Sequence, residues 1–510
     1  MTWCQLISKS FNLSIYKSSL AVLISRIFGL LRDTTIAAFF GANKLTDIFF
    51  IAFAIPNLFR AFFAEGALSS AFIPILSDKF VKDKKLANKY INDLMIALLI
   101  ITLIILLIFI VFSKYIILIF MPGYYNDKTI VTIASHLLII LMPYLPIITV
   151  CGLFSGYLNI NKIYFIPHSS TVLLNLSMIV GAVFGGYLGG NIYILSYSVG
   201  IGGILQLLYI LYFSRRMDFH FEVNSLRNFS FNSFFNNFDS DVKKTFYLVI
   251  PSILGLSINQ LNFVVGRILA SFLKEGSISY LYFANRLYQL PIGVFSVAIG
   301  VVSLTELSLA YSNNRTDDIK KILDNAILIL SLFILPSFIG LMLLSKEIVT
   351  LIYLHFNFTK IDMINTSIAL QMYTVGLIFI SLANIFTRAF HSKKDLVTPV
   401  KINIFAFLLN ILLTVILMKF LSHAGIALAS SIASAFNAIF LYKYLKEYKF
   451  DFWKYGYFFL KIIISSVIMM LSLLAMKYIN VNVLVNVFVC IIVYFLTLKI
   501  FKINIRGFKV

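Results

Sequence analysis

Runs of twenty or more apolar residues, separated by short polar turns, recur along the whole chain and decide what it can fold into. A helix that crosses a membrane needs roughly 20 such residues. The charged fraction is 12%, about half of the roughly 25% typical of soluble domains, so polar side chains are too few to cover a packed core in water. The chain is therefore predicted to be an all-α polytopic membrane protein.

About fourteen transmembrane helices are predicted by this measure. They lie near residues 19–41, 46–76, 91–120, 130–158, 164–188, 191–213, 245–273, 277–310, 322–345, 364–390, 396–419, 422–442, 455–476 and 481–501. One long polar stretch interrupts the pattern and divides the chain. The predicted organisation is an N-terminal six-helix bundle (1–213), a cytoplasmic linker (214–244), a C-terminal six-helix bundle (245–445) and an extra helix pair with a cytoplasmic tail (446–510).

The distribution of basic residues predicts the orientation of these spans. There are 42 Lys and Arg against 21 Asp and Glu. When loops are assigned alternately to two sides, 26 of the 42 fall on one side, seven on the other and nine within spans. Because basic loops stay in the cytoplasm, both termini are predicted to be cytoplasmic. The excess charge is then explained by topology and anionic lipid, and nucleic acid is not a predicted partner.

The two halves of the chain carry the same landmarks in the same order. A shift of 235 residues superposes Gly41 on Gly276, Pro56 on Pro291 and Arg32 on Arg267. A shift of 232 superposes Lys162 on Lys394, each in a short turn before a span. A shift across an even number of spans preserves orientation, so two parallel-repeat six-helix bundles are predicted, with a C-terminal helix pair left over. Such paired bundles hold substrates between the halves and work by rocking.

Polar and charged side chains inside spans are costly and mark functional sites. The predicted substrate-binding residues are Arg26, Arg32, Arg60 and Arg286. The predicted gating or polar cavity residues are Asp33, Asp47, Asn57, Glu65, Asn285 and Gln289, and two further basic candidates are Arg267 and Arg388. Arginine binds phosphate through two parallel hydrogen bonds, so this excess of arginine predicts an anionic, phosphate-bearing substrate.

The alternative is that these arginines serve as struts between helices, paired with Asp33, Asp47 and Glu65. Three carboxylates against six arginines leave an excess of positive charge, so struts do not account for the whole set. Both roles remain open at the level of individual residues.

Catalytic patterns are absent from the sequence. The six histidines are scattered without metal-ligand spacing, and the three cysteines lie far apart. No serine stands in a nucleophile-elbow context. The chain is therefore predicted to be a transporter and not an enzyme, with no cofactor and no metal.

Several motifs resemble the MurJ (MviN) family of bacterial lipid II flippases. They are Ser25 to Asp33, Gly41-Ala42, Thr46-Asp47, Ile55 to Arg60, Phe63 to Ala67, Pro251 to Gly255, Ala284 to Leu287 and Thr398 to Lys401. The resemblance runs over essentially the whole chain. It implies a fourteen-helix fold of the MOP flippase superfamily in the bacterial inner membrane.

The resemblance also implies a function. Family members move the undecaprenyl-pyrophosphate-linked peptidoglycan precursor, lipid II, from the cytoplasmic to the periplasmic leaflet by alternating access, in cell wall biogenesis and the maintenance of cell shape. Arg26, Arg32, Arg60 and Arg286 match the family's cavity arginines, and Asp47 and Glu65 its transport or gating carboxylates. The last two helices resemble the family's extra pair, whose groove suits a polyprenyl tail. The implied partners are this lipid, the bilayer and proteins of cell-wall synthesis.

One departure from the family concerns the arginine of span eight. Where several relatives have an acidic pair around it, this chain has Asn285 and Gln289, which leaves Arg286 less neutralised and puts a proton- or ion-linked role there in doubt.

Two alternatives share the architecture: a flippase for another polyprenyl-linked glycan of the O-antigen or capsule type, and a drug or cation antiporter. The excess of arginine argues against the antiporter, and a scaffold without transport is a third alternative.

Overall fold

The computed structural model describes residues 3–220, 240–313, 316–446, 448–479 and 482–503. These residues form helices joined by short turns, with no β-strand among them, and the predicted all-α membrane fold is confirmed. In chain order the helices of the first half are α1 (Trp3–Phe40), α2 (Lys44–Arg60), α3 (Ala67–Lys82), α4 (Lys84–Val111), α5 (Ser113–Phe120), α6 (Lys128–Leu141), α7 (Tyr144–Ile160), α8 (Phe165–Tyr187) and α9 (Ile192–Arg215).

The remaining helices follow the polar stretch that divides the chain. They are α10 (Ser240–Ala270), α11 (Ser277–Pro291), α12 (Val297–Ser312), α13 (Thr316–Leu343), α14 (Ser345–Tyr353), α15 (Lys360–Val375), α16 (Leu377–Ser392), α17 (Val397–Leu421), α18 (His423–Tyr444), α19 (Phe452–Tyr478) and α20 (Val483–Ile500).

The described residues contain eleven helical segments long and apolar enough to cross a membrane, and α15 with α16 make a twelfth that is bent by 44°. Two other long helices, α1 and α10, cover the predicted first and seventh spans. The predicted span at 91–120 is interrupted at Phe112, so α4 ends there and the short helix α5 follows.

Polar side chains in the turns fix where several helices begin. The Asn43 side chain accepts hydrogen bonds from the backbone N–H groups of Leu45 and Thr46 at the start of α2. Asp127 caps α6 in the same way, and Thr359 forms a reciprocal capping box at the start of α15. Such caps satisfy N–H groups that have no partner within the helix.

The chain divides into two compact units. Unit 1 consists of residues 1–276 together with His355–Phe358, and unit 2 contains the rest. Within unit 1, α8 packs along both α1 and α9. Within unit 2, α17 packs along α18, which also contacts α16. The domain limits predicted from the sequence stay predictions.

The segment His355–Phe358 shows why Gly41 has to be glycine. The backbone N–H of Asn357 donates to the carbonyl of Ala38 at 2.9 Å, and its side chain donates to the carbonyl of Phe39 at 2.7 Å. Gly41 has a φ of 68°, and a Cβ there would lie 2.6 Å from the carbonyl oxygen of Asn357. A side chain at this position would meet both backbone strain and a clash.

The landmarks of the sequence repeat have matching local structure in the two halves. Gly276, the counterpart of Gly41, also has a positive φ, of 87°. Lys162 and Lys394 follow helix ends and have φ of 62° and 64°. In each case the backbone N–H of the next residue donates to the carbonyl five residues before it, from Ile163 to Leu158 and from Asp395 to Phe390. These are Schellman turns, in which the left-handed position is usually glycine.

A proline and a single turn of π-helix also recur in both halves. The π-turn Ala61–Glu65 follows α2, which contains Pro56, and the π-turn Ile292–Ser296 follows α11, which ends at Pro291. Proline removes one backbone hydrogen bond, and π-turns are frequent at functional sites. The second and eighth predicted spans are therefore each continuous but locally irregular.

The C-terminal helix pair packs on α13 within unit 2. Ile462 and Leu473 of α19 and Leu498 of α20 belong to one buried cluster with Leu332 of α13. The hydroxyl of Tyr494 donates to the carbonyl of Leu332 at 2.7 Å. The extra pair is thus fixed to the second unit by apolar packing and a buried hydrogen bond.

The turn before α19 offers a test of how this unit is held together. The Tyr448 hydroxyl donates to the buried carboxylate of Asp324 at 2.6 Å, and burial, followed by this bond, raises the pKa of Tyr448 above its usual value. Tyr448→Phe removes the donor from a buried acceptor and should lower the free energy of unfolding by about 1–3 kcal/mol. Thermal unfolding of the purified protein measures this, and the exposed Tyr444→Phe is the matched control.

Candidate functional site

An arginine–carboxylate pair lies at the centre of the packing between α1 and α8. The guanidinium of Arg32 donates to Oδ1 of Asp33 at 2.7 Å from Nη2 and 3.0 Å from Nε. Its Nη1 also donates to the side-chain oxygen of Asn175 on α8 at 3.1 Å. Arg32 and Asp33 are both buried. The ion pair lies within α1, and the bond from Arg32 to Asn175 links it to α8, so these contacts fit a strut within unit 1, whatever further role Arg32 has.

Arg26 lies on the same helix but in different surroundings. It precedes Asp33 by two helical turns and its side chain is exposed, whereas Arg32 is buried. The neighbouring Ser25 contacts Thr171 of α8 through their hydroxyl groups, and the carbonyl of Ser25 accepts from Asn175. These bonds attach α1 to α8 and leave the Arg26 guanidinium accessible to a ligand.

Arg60 lies where α2 passes into the first π-turn. It is partly buried, as is Asn57 one turn before it. The Asn57 side chain donates to the carbonyl of Phe53 at 2.8 Å, so this bond is made within α2, next to Pro56. The side chain of Glu65 lies outside the described residues.

Asp47 is buried at the start of α2 and holds a backbone group. Its Oδ2 accepts the backbone N–H of Gly276 at 2.7 Å, immediately before α11 begins. Close by, Lys44 and Asp127 form an ion pair at 2.6 Å, and the hydrogen bond with Lys44 lowers the pKa of the Asp127 carboxyl below its usual value. Asp47 therefore connects the loop before α11 to the start of α2.

Two further basic candidates are partly buried. Nη1 of Arg267 on α10 donates to the carbonyl of Phe50 on α2 at 3.4 Å. Arg388 lies on α16, where its Cγ is the nearest side-chain atom to Gly300 of α12. Arg267 thus makes a helix-to-helix contact of the kind expected for a strut.

In unit 2, Arg286 is oriented by an aromatic neighbour. Its guanidinium lies 5.3 Å from the centre of the Tyr282 ring, one turn earlier on α11, and Nη2 donates to the Tyr282 hydroxyl at 3.2 Å. Asn285 is partly buried and Gln289 is exposed. Stacking on tyrosine orients the planar fork of an arginine and keeps its charge.

Sequence reasoning missed the role of Asn175. The side chain is buried, accepts from Arg32 and donates to α1, so it joins the strut to a second helix. The available signal was its place in the internal repeat, where Leu173-Leu174-Asn175 matches Leu408-Leu409-Asn410. Among the described residues, no group of three or more His, Cys, Asp or Glu could hold a metal ion.

Comparison with solved structures identifies the class of protein. A solved structure of a lipid II flippase MurJ in an inward closed conformation matches with a TM-score of 0.82 and 29% identity, covering 95% of this chain and 98% of that one. An inward-facing multidrug resistance MATE transporter of the MOP superfamily matches with a TM-score of 0.67 at 16% identity, covering 85% of this chain and 98% of that one, and this match shows the fold alone. The fold is that of a helical membrane transporter and not of an enzyme.

Sequence comparison defines the family. The model of the family "Lipid II flippase MurJ" matches residues 36–495, which include Arg60 and Arg286 and follow Arg26 and Arg32. A probable lipid II flippase MurJ of Buchnera aphidicola subsp. Schizaphis graminum is 37% identical over 84% of this chain and 83% of its own length, and one of Rickettsia prowazekii is 35% identical over 84% and 82%. The chain belongs to the MurJ family of lipid II flippases.

The strut formed by Arg32 can be tested by charge removal. Asp33→Asn removes the carboxylate that lies 2.7 Å from the buried Arg32 guanidinium and should lower the free energy of unfolding by about 3–5 kcal/mol. The double change Arg32→Met with Asp33→Leu removes both charges and should cost less than the single change. Thermal unfolding and protein level in membranes measure both.

The control for this test is Asp78→Asn, since Asp78 is exposed on α3. It removes the same charge outside any buried pair and should leave the unfolding temperature unchanged. An Asp33→Asn variant as stable as this control would contradict the assignment of the strut.

Proposed function

We propose that this protein flips lipid II from the cytoplasmic to the periplasmic leaflet of the bacterial inner membrane by alternating access. Membership of the MurJ family carries the proposal. The chain is a multi-pass protein of that membrane, and its function lies in peptidoglycan biosynthesis. Proteins of cell-wall synthesis that supply lipid II are the further partners we propose.

The proposed ligand of the arginines is the pyrophosphate of the substrate. Arg26, Arg60 and Arg286 would bind its oxygens, and Arg32 would act through Asp33 and Asn175 by fixing α1. The exposure of Arg26 and the stacking of Arg286 on Tyr282 support this division of roles. Charge-assisted bonds from arginine to phosphate are stronger than neutral hydrogen bonds and fix orientation.

The polar residues near these arginines would serve the sugar–peptide head and the gate. Asn57, Asn285 and Gln289 offer donors and acceptors without charge, which suits a hydroxyl- and amide-rich head group. Asp47 would control opening, because its carboxylate holds the backbone just before α11. Glu65, Arg267 and Arg388 remain proposed contributors.

An apolar cavity in unit 2 supports a binding place for the polyprenyl tail. Its volume is about 540 Å³, and its lining comes from α13, from the region of Pro291 and from both helices of the C-terminal pair. Leu473, Val487 and Phe495 are among the lining residues. A flexible hydrocarbon chain needs a surface of this chemistry and no specific polar partner.

The proposed arrangement in the membrane follows the distribution of charge. The loops that carry 26 of the basic residues would face the cytoplasm, together with both termini. The two six-helix bundles, 1–213 and 245–445, would rock about the substrate, while the helix pair within 446–510 would guide the tail.

Replacement of Arg286 tests the proposed pyrophosphate site. Arg286→Ala removes one charge-assisted contact, worth about 1.5–3 kcal/mol, and should slow lipid II flipping by roughly tenfold or more. The measurement is a leaflet-accessibility assay for lipid II in a bacterium that has this chain as its only flippase, with protein level followed in parallel. Arg286→Lys keeps the charge without the fork and should retain part of the activity.

The matched control is Arg215→Ala, at the exposed end of α9. It removes an exposed basic side chain at a helix end and should leave flipping unchanged. Normal growth of the Arg286→Ala strain at normal protein level would overturn the proposed site. Flipping of an O-antigen or capsule precursor in place of lipid II would overturn the proposed substrate.

A bulky side chain in the apolar cavity tests the tail site. Val487→Trp places an indole in the cavity and should reduce flipping, because the tail and the ring compete for one volume. Phe488→Trp, on the exposed side of the same helix, is the matched control and should retain activity. Normal flipping by Val487→Trp, with a normal unfolding temperature, would contradict the assignment.

A further inference from the structure

A cavity in unit 1 is lined by none of the residues assigned above to lipid II. Its volume is about 580 Å³, and it is formed by the turn between α7 and α8 together with the end of α9. Its lining includes Lys162, Tyr164, Phe165, Phe213 and Arg216. The combination is two cations among aromatic rings, at the ends of membrane-spanning helices.

The electrostatics of this cavity favour an anion. The Arg216 guanidinium lies over the Tyr212 ring at 4.7 Å, which orients it without neutralising it. No acidic residue is among those that line the cavity. The acid nearest in sequence, Asp218, lies 3.6 Å from Lys84. The first turn of α8 also lines the cavity, and its partial positive charge adds to that of the two side chains.

The backbone at Lys162 allows its charge to be removed without disturbing the turn. Lys162 occupies the left-handed position of a Schellman turn, with a φ of 62°. Glycine is the usual residue there, and a lysine costs about 1 kcal/mol of backbone strain or more. Glycine at this position would therefore remove the cation and relieve the strain at the same time.

The face of α9 that leads to the cavity is apolar and exposed. Tyr197, Ile201, Leu208 and Tyr212 lie on one stripe of this helix, and Arg216 follows Tyr212 by one turn. Residues three and four apart share a face, so the stripe ends at the arginine. Hydrocarbon chains can lie along such a stripe while a phosphate reaches the cations at its end.

We propose that this cavity binds the headgroup of an anionic phospholipid of the bilayer, with its phosphate held by Lys162 and Arg216 and its acyl chains along α9. The aromatic rings of Tyr164 and Phe213 would pack against the glycerol backbone. On the proposed topology the lipid belongs to the cytoplasmic leaflet. None of the lining residues is one that we assign to lipid II, so this lipid is proposed as a bound component of the protein and not as its cargo.

The experiment measures binding of phosphatidylglycerol to the purified full-length protein in detergent, by native mass spectrometry and by the shift of the unfolding temperature. Phosphatidylcholine and glycerol 3-phosphate are the comparison ligands. The wild type should retain phosphatidylglycerol more tightly than phosphatidylcholine, because only the former has a net negative charge. Glycerol 3-phosphate should bind weakly, since it lacks the acyl chains that the stripe accommodates.

The variants are Arg216→Gln and Lys162→Gly, alone and together. The double variant should bind phosphatidylglycerol roughly tenfold more weakly, since each removed cation loses one phosphate contact. Lys162→Gly is informative because glycine suits the left-handed turn, so this variant should be at least as stable as the wild type while it loses lipid. The matched control is Lys394→Gly, which has the same turn and a φ of 64° but is not among the residues lining the cavity.

Three outcomes would overturn the proposal: unchanged phosphatidylglycerol binding by the double variant, equal binding of phosphatidylcholine by the wild type, or equally tight binding of glycerol 3-phosphate. A loss of binding in Lys394→Gly as large as that in Lys162→Gly would also overturn it, because the effect would then come from overall charge and not from the cavity.

Discussion

The structure depends on one constraint, which is that hydrocarbon offers no hydrogen-bond partner to polar groups. The chain meets it with helices whose backbone bonds are internal, and many hydroxyl side chains return to their own helix. Thr102 and Thr149, for example, donate to the carbonyls four residues earlier. The same constraint makes a charge inside a span stand out. Arg32 satisfies it through Asp33 and Asn175, whereas Arg26 remains exposed.

Duplication explains why irregular features come in pairs. Each half has a glycine with positive φ before a span, a proline followed by a π-turn, and a lysine in a Schellman turn. The halves differ in their number of helices. Only the second unit carries the extra pair α19 and α20, and the apolar cavity that we assign to the tail uses both of those helices. The apolar cavity therefore depends on helices that lie outside the repeat.

Much of the fold was predictable because membrane-spanning helices follow from local properties. The length of apolar runs predicted the spans, and the repeat predicted matching turns such as those at Lys162 and Lys394. The interruption at Phe112 was not predicted, since apolarity continues across it. The contact of Arg286 with Tyr282 joins neighbouring turns of one helix and could be expected from their spacing. The contact of Arg32 with Asn175 could not, because these residues are distant in sequence and lie on different helices.

The sequence alone determined that this is a helical membrane protein with arginines inside its spans, because hydrophobic length and the cost of buried charge depend on residue type and position in the chain. The resemblance of its motifs also identified the family. Only the tertiary structure distinguished the arginines, since burial and partners depend on which helices pack together. It buried Arg32 against Asp33 and Asn175 and left Arg26 exposed, and it brought Lys162 and Arg216 into one cavity. Spacing along a single helix cannot specify such contacts between helices.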